Sequence, residues 1–108
     1  MLCGEATVQG AGLVNDGQLR LRDVLVAGNL GRATGTAGFA RGGGIWNGRL
    51  FNEQGPIELA LERTLVTRNR VSGSAAIEVE GGGIFTDFPI TLDASRVAKN
   101  SPAQCSGC

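Results

Sequence analysis

Two short patterns of apolar and polar residues recur along the chain. The first is glycine-rich, continues with a branched aliphatic and a bulky apolar residue, and ends on Asn or Thr; it occurs at 10–15, 42–47 and 81–86. The second alternates apolar and polar residues, contains a Val and ends on Asn, at 19–29, 59–69 and 90–100. Because both patterns recur in the same order, we expect three repeats of one structural unit.

The alternation predicts strands. Residues 57–66 taken alone would form an amphipathic helix, because their apolar positions are four residues apart. The equivalent segments of the other repeats, 19–22 and 90–93, show the period of two that is typical of a half-buried strand. Since equivalent repeats share one structure, we expect three or four short strands in each repeat and no helix longer than two turns.

Three such units in series predict an all-β fold, a right-handed parallel β-helix of about three coils, in which equivalent strands stack as parallel sheets. The expected coils span about 7–41, 42–80 and 81–105, and they form a single short domain over 1–108 or a fragment of a longer array. The middle repeat is longer than the others. Its extra residues fall within 48–56, where Asn-Gly and Gly-Pro pairs predict an inserted surface loop.

Stacking in this register places equivalent side chains beside one another. The expected inward columns are Leu19, Leu59 and Ile90; Leu21, Leu61 and Leu92; and Val26, Val66 and Val97. On the outer face, Arg22 falls beside Glu62, and Asp23 falls beside Arg63. Such pairs of opposite charge stabilise adjacent strands by roughly 0.2–1 kcal/mol each. The pairing of Glu62 with Asp93 breaks the pattern.

These motifs resemble the repeat of right-handed parallel β-helix proteins of the pectate-lyase-like superfamily, especially bacterial surface and secreted repeat proteins. The resemblance runs from about Thr7 to Cys105, and 100–105 is similar to the closing segment of some bacterial members. It implies the fold and no single chemistry, because the superfamily includes polysaccharide lyases, hydrolases and adhesins. The chain departs from the family in having only three coils and no helical N-terminal cap. No position matches a lyase signature, so no catalytic residue is carried over.

Composition excludes several classes of function. The 108 residues contain no His, so a His-based catalytic triad and a His metal ligand are excluded. Ten Lys and Arg balance ten Asp and Glu, and this neutral total argues against nucleic acid or an anionic membrane as a partner. No apolar run is long enough for a membrane span, and no signal peptide is visible. The protein therefore stays inside the cell, or it belongs to a longer secreted chain and lies outside the cell or at its surface.

The three cysteines, Cys3, Cys105 and Cys108, lie near the two ends of the chain. The final Cys-Ser-Gly-Cys could form a terminal disulfide, carry free thiols or bind a metal. A redox motif or a zinc site would need a helix N-terminus or further ligands, which the sequence lacks. We expect a structural role for these cysteines, and no metal or other cofactor.

Asn29, Asn69 and Asn100 occupy equivalent positions, which predicts a ladder of stacked side chains that bond along the axis. The arrangement of the carboxylates does not predict a calcium site or a catalytic pair. Calcium needs 6 to 8 converging oxygen ligands, whereas the aspartates are spread over different coils. Paired glutamates on a strand most often face solvent. We therefore expect no catalytic residue.

One surface feature suggests binding. Trp46 directly follows an inward aliphatic residue, so alternation predicts that it points outward or lies at a corner. It lies beside the insertion that carries Arg49, Phe51 and Glu53. These four residues are the candidate ligand site, and a polysaccharide is the expected ligand because an aromatic face stacks on sugar rings. The alternative, which we favour, is that the loop folds over Trp46 and buries it.

Two functions follow from these observations. The first is a non-catalytic structural or binding module of a surface or secreted β-helix protein, with self-association through the coil ends as a further expectation, because their strand edges are unpaired. The second is a segment of a carbohydrate-active β-helix enzyme, a lyase or a hydrolase, whose active face lies elsewhere.

Overall fold

The chain consists of short strands joined by tight turns. A computed structural model describes residues 5–51 and 54–108, with side chains from Thr7 onward, and within these residues it has fifteen strands and no helix. The first coil contains β1 (Glu5–Gln9), β2 (Leu13–Asn15), β3 (Gln18–Arg22), β4 (Leu25–Ala27) and β5 (Leu30–Ala33). The second contains β6 (Ala37–Arg41), β7 (Ile45–Asn47), β8 (Glu58–Glu62), β9 (Leu65–Thr67) and β10 (Arg70–Gly73). The third contains β11 (Glu78–Glu80), β12 (Ile84–Thr86), β13 (Ile90–Asp93) and β14 (Arg96–Ala98), and β15 (Cys105–Ser106) follows it.

Equivalent strands of successive coils pair in parallel and build five sheets. Sheet 1 contains β1, β6 and β11; sheet 2 contains β2, β7, β12 and β15; sheet 3 contains β3, β8 and β13; sheet 4 contains β4, β9 and β14; and sheet 5 contains β5 and β10. The prediction of an all-β parallel β-helix of about three coils is confirmed. The prediction of three or four strands in each repeat was wrong for the first two coils, which have five. The sequence pattern does not predict the fifth strand of the first coil, because β5 buries only small residues, Gly31 and Ala33, and so shows no apolar alternation.

The core follows the columns that the repeat predicts. Leu59, Leu61 and Val66 of the middle coil are buried, and each lies between its equivalents of the coils on either side. In the described structure, β13 pairs with β8 on one side and with no strand on the other. Leu92 of β13 is therefore 48% exposed, although it lies in register with the fully buried Leu61.

Hydrogen-bonded asparagines run through the turn between sheets 4 and 5. Asn29 donates from Nδ2 to Oδ1 of Asn69 at 2.9 Å, and Asn69 donates in the same way to Asn100 at 3.0 Å. The backbone N–H of each residue also donates to the Oδ1 of the next, and Asn69 Nδ2 donates to the carbonyl of Val26. At the last rung, the Oε1 of Gln104 accepts from Asn100. The side chains thus satisfy turn amides that would otherwise be buried without partners.

A second polar ladder lies at the end of sheet 2. Asn15 Nδ2 donates to Asn47 Oδ1 at 2.7 Å, and Asn47 Nδ2 donates to Thr86 Oγ1 at 2.9 Å. All three residues are buried. The recurrence of Asn or Thr at the end of the first sequence motif therefore has a structural cause, because this position satisfies polar groups between coils.

The glycines of the first motif make room for the asparagines. A Cβ atom added at Gly44 would lie 2.7 Å from the carbonyl oxygen of Gly83 and 2.9 Å from the Nδ2 of Asn69. Gly12 and Gly83 are equally close to Asn29 and Asn100. Any larger residue would push the ladder away from the backbone that it satisfies. The glycines of the first motif therefore pack against the asparagines of the second motif.

On the outer face of sheet 3, opposite charges meet as the register predicts. Arg22 Nε lies 2.7 Å from a carboxylate oxygen of Glu62, and Arg63 Nε lies 2.7 Å from a carboxylate oxygen of Asp23. The hydrogen bond from Arg22 lowers the pKa of Glu62, and that from Arg63 lowers the pKa of Asp23. Asp93 lies beside Glu62 in the register.

Replacement of Asn69 by Ala should destabilise the fold by about 3 kcal/mol, because it leaves the carbonyl of Val26 and two N–H donors of the half-buried Asn29 without this partner. Asn29→Ala is the matched control, since Asn29 is only half-buried. Its expected cost is about 1 kcal/mol. Urea unfolding followed by far-UV circular dichroism measures both, and equal losses for the two variants would contradict the ladder's role.

The stability of the fold should fall as the pH drops through and below the ordinary glutamate pKa of 4.5. A group whose pKa is lowered by folding stabilises the folded state above the pKa of the unfolded state, and this contribution disappears as the pH falls through the folded value. Glu62→Gln should flatten this part of the profile. Thermal unfolding between neutral pH and the acid limit measures the effect, and an unchanged slope in the variant would refute it.

Candidate functional site

The structure buries Trp46, the central residue of the predicted ligand site. The side chain lies on the opposite face of β7 from the core residue Ile45, yet it is only 3% exposed. Its ring stacks on Phe85 with centroids 6.4 Å apart. The backbone of Gly48, at the start of the insertion, lies so close that an added Cβ would be 2.8 Å from the indole ring. Trp46 is thus not available as a stacking surface for a ligand.

Arg41 is close to the same aromatic cluster. Its guanidinium lies 4.1 Å from the centroid of Phe39 and 5.0 Å from that of Phe85. It also forms ion pairs with Glu80 at 3.0 Å and Glu78 at 3.6 Å. The outward aromatic residues of sheet 2 are therefore part of a satellite cluster beside the core.

Two other predicted residues of the insertion, Arg49 and Phe51, have contacts of their own. Arg49 Nη1 donates to the carbonyl of Gly55 at 2.7 Å, and its guanidinium lies 5.2 Å from the ring centroid of Phe88. The backbone N–H of Phe51 donates to Asp16 Oδ2 at 2.7 Å. The side chain of Phe51 itself projects into solvent and is 89% exposed. Glu53 lies outside the described residues.

The geometry of the insertion explains why Phe51 is presented in this way. Asp16 belongs to the turn of the first coil, so its bond to Phe51 ties the loop of the second coil back onto its neighbour. Arg49 closes the loop across to Gly55. A loop anchored on a rigid scaffold is a common location for binding residues.

Glu62 and Asp23 lack the environment of a general acid. In the part of the chain that the structure describes, no group of three or more Cys, Asp or Glu side chains could hold a metal ion. Glu62 and Asp23 have lowered pKa values because arginines bond to them. A general acid needs a raised pKa instead. Cys105 and Cys108 form a disulfide, which is one of the alternatives that the sequence left open.

The predicted asparagines lie inside the molecule. Asn69 and Asn100 are buried, and their side-chain amides bond to neighbouring coils. Asn29 is half-buried and bonds to Asn69. Their polar groups are directed at the protein itself.

Sequence reasoning missed a segregation of charge. Segments 24–35, 64–75 and 95–106, which build sheets 4 and 5 and the closing segment, contain no acidic residue. They contain five cations, which we call the basic face: Arg32, Arg68, Arg70, Arg96 and Lys99. None of these five forms an ion pair with an acid that the structure describes. Counting acids repeat by repeat would have revealed this face, whereas the neutral total conceals it.

Comparisons with known proteins add no further assignment. No protein-family model, curated protein or solved structure matches the chain. In residues 5–51 and 54–108, no helix could cross a bilayer.

Replacement of Trp46 by Ala should destabilise the fold by about 3–5 kcal/mol, the usual cost of removing a buried aromatic residue. Trp46→Phe should cost less than about 1.5 kcal/mol, because the indole N–H is buried without a hydrogen-bond partner in the described structure. Urea unfolding compares the two variants. Wild-type tryptophan emission that iodide quenches as readily as that of free tryptophan would contradict the burial.

Proposed function

We propose that this chain is a non-catalytic binding module of a secreted or surface-exposed bacterial β-helix protein of the pectate-lyase-like type. The proposal rests on the division between the inside and the outside of the coils. Inside, polar side chains stabilise the stack. Outside, Glu62 and Asp23 are bonded to arginines, so these two described carboxylates are not suited to act as a general acid.

The observation that carries the binding role is the exposure of Phe51. An aromatic side chain that is 89% exposed on an anchored loop stabilises nothing within the described structure. An exposed aromatic ring offers a flat apolar surface, and hydroxyl groups of a ligand can bond to polar groups beside it. Arg49 is two residues away, with its guanidinium held over Phe88.

A glycan is the ligand class that fits these groups. One face of a sugar ring carries C–H groups that pack on an aromatic ring, and its hydroxyls accept hydrogen bonds from a guanidinium. Phe51 thus takes the stacking role that the sequence assigned to Trp46. Because the described acids Glu62 and Asp23 are bonded to arginines, we expect binding without cleavage.

Affinity electrophoresis in gels that contain plant, algal or bacterial polysaccharides tests this function. The wild-type chain should be retarded by at least one polysaccharide, and Phe51→Ala should weaken the binding about fivefold, since an aromatic contact contributes about 1 kcal/mol. Phe51→Trp should retain the binding because it keeps a stacking surface.

Leu50→Ala is the matched control, because Leu50 is an exposed apolar residue of the same loop and should be dispensable. Light scattering should accompany each gel, since the half-exposed Leu92 at the coil end favours self-association, which also retards a protein. Retardation that survives in Phe51→Ala, or release of reducing sugar ends during incubation, would refute the proposal.

A further inference from the structure

The basic face keeps like charges next to one another. Arg68 and Lys99 occupy equivalent positions on adjacent coils, and the backbone N–H of Arg68 donates to the carbonyl of Lys99 at 3.1 Å. Like charges on neighbouring strands repel and destabilise the pair. On sheet 3 the chain avoids this cost by placing Glu62 beside Arg22. The basic face contains no such compensation.

Both cations lie at backbone positions that favour glycine. Arg68 and Lys99 have φ values of 56° and 60°, in the left-handed region that residues with a Cβ disfavour. At the equivalent position of the first coil the chain has Gly28, with φ of 71°. Glycine therefore fits this turn, yet two of the three coils place a long cation there.

Exposed leucines lie among the cations. Leu25 is 64% exposed, Leu30 is 61% exposed and Leu65 is 38% exposed. Leu25 and Leu65 share one outward column of sheet 4 with Arg96. They line a groove of about 390 Å³ whose apolar floor is bordered by cations; its residues include Leu25, Leu65, Ala98, Arg68, Arg96 and Lys99. The groove is thus apolar toward the first coil and cationic toward the third.

We propose that the basic face docks onto an anionic lipid surface. Cations close to the membrane attract acidic headgroups, and exposed leucines enter the boundary between headgroups and acyl chains. The five cations have no competing acid in segments 24–35, 64–75 and 95–106, so their charge is available to a partner.

The composition of the face favours lipid over other polyanions. Sites for single-stranded nucleic acid and for sugars stack their ligands on aromatic rings, and the three segments contain no aromatic residue. Leucine side chains, in contrast, gain from leaving water for a lipid interface. The loop that carries Phe51 lies between sheets 2 and 3, so this contact is independent of the proposed glycan site.

Vesicle sedimentation tests the proposal with the full chain. Vesicles of phosphatidylcholine mixed with phosphatidylglycerol should bind the wild type, pure phosphatidylcholine should not, and added salt should release the protein. Arg68→Gly with Lys99→Gly should lower the partition coefficient about 30-fold, because the loss of each cation near the membrane should weaken binding about fivefold. Both changes copy Gly28, so the variant should fold, and far-UV circular dichroism checks this.

Arg20→Gln with Arg63→Gly is the matched control, because it also removes two cations but from sheet 3 and its turn, and should leave binding within about twofold. Leu25→Ser with Leu65→Ser should weaken vesicle binding without altering binding to heparin or duplex DNA. The proposal is overturned if the wild type does not bind anionic vesicles. It is overturned as well if the control variant loses as much binding as Arg68→Gly with Lys99→Gly. It is also overturned if heparin or DNA binds as tightly as vesicles and the serine variant behaves like the wild type.

Discussion

Stacking of identical turns is possible only if their backbone amides find partners between the coils, and the asparagine ladder provides these partners. Asn69 bonds through both its side chain and its backbone to Asn100, accepts from Asn29 and donates to the carbonyl of Val26. A small domain buries little apolar surface, so these bonds make a large contribution to the specificity of the stack. The ladder in turn depends on Gly44 and its equivalents, because their lack of a side chain lets the asparagines approach the backbone.

The outward charges of sheet 3 and those of sheets 4 and 5 have opposite effects on the stack. On sheet 3 the register brings Arg22 to Glu62, so that outward charges stabilise the stack. On sheets 4 and 5 it brings Arg68 to Lys99, and the outward charges oppose the stack slightly. Since the inward ladder and core columns already determine the register, the outward positions are free to differ. A repeat protein can therefore present a charged face without loss of its fold.

The two proposed contacts lie where the stacking constraint is weakest. Phe51 belongs to the insertion, which has no equivalent in the other coils, and Leu25 and Leu30 lie on the outside of the first coil. Among the described residues, neither location contains a buried acid or base. Binding on a rigid scaffold is consistent with this arrangement, because the inside of the coils is occupied by the polar and apolar ladders.

The sequence by itself determined the all-β parallel β-helix of about three coils and the pairing of Arg22 with Glu62, because these follow from residue spacing alone. Alternation fixes which side chains face inward, and equivalent positions must stack. The basic face also follows from the sequence, by counting acids in each repeat, although the net charge of zero conceals it. Only the tertiary structure decided that Trp46 is covered by Gly48 and Phe85 and that Phe51 is exposed. Coverage of an outward residue depends on how a loop crosses the surface, and a periodic pattern does not contain this information.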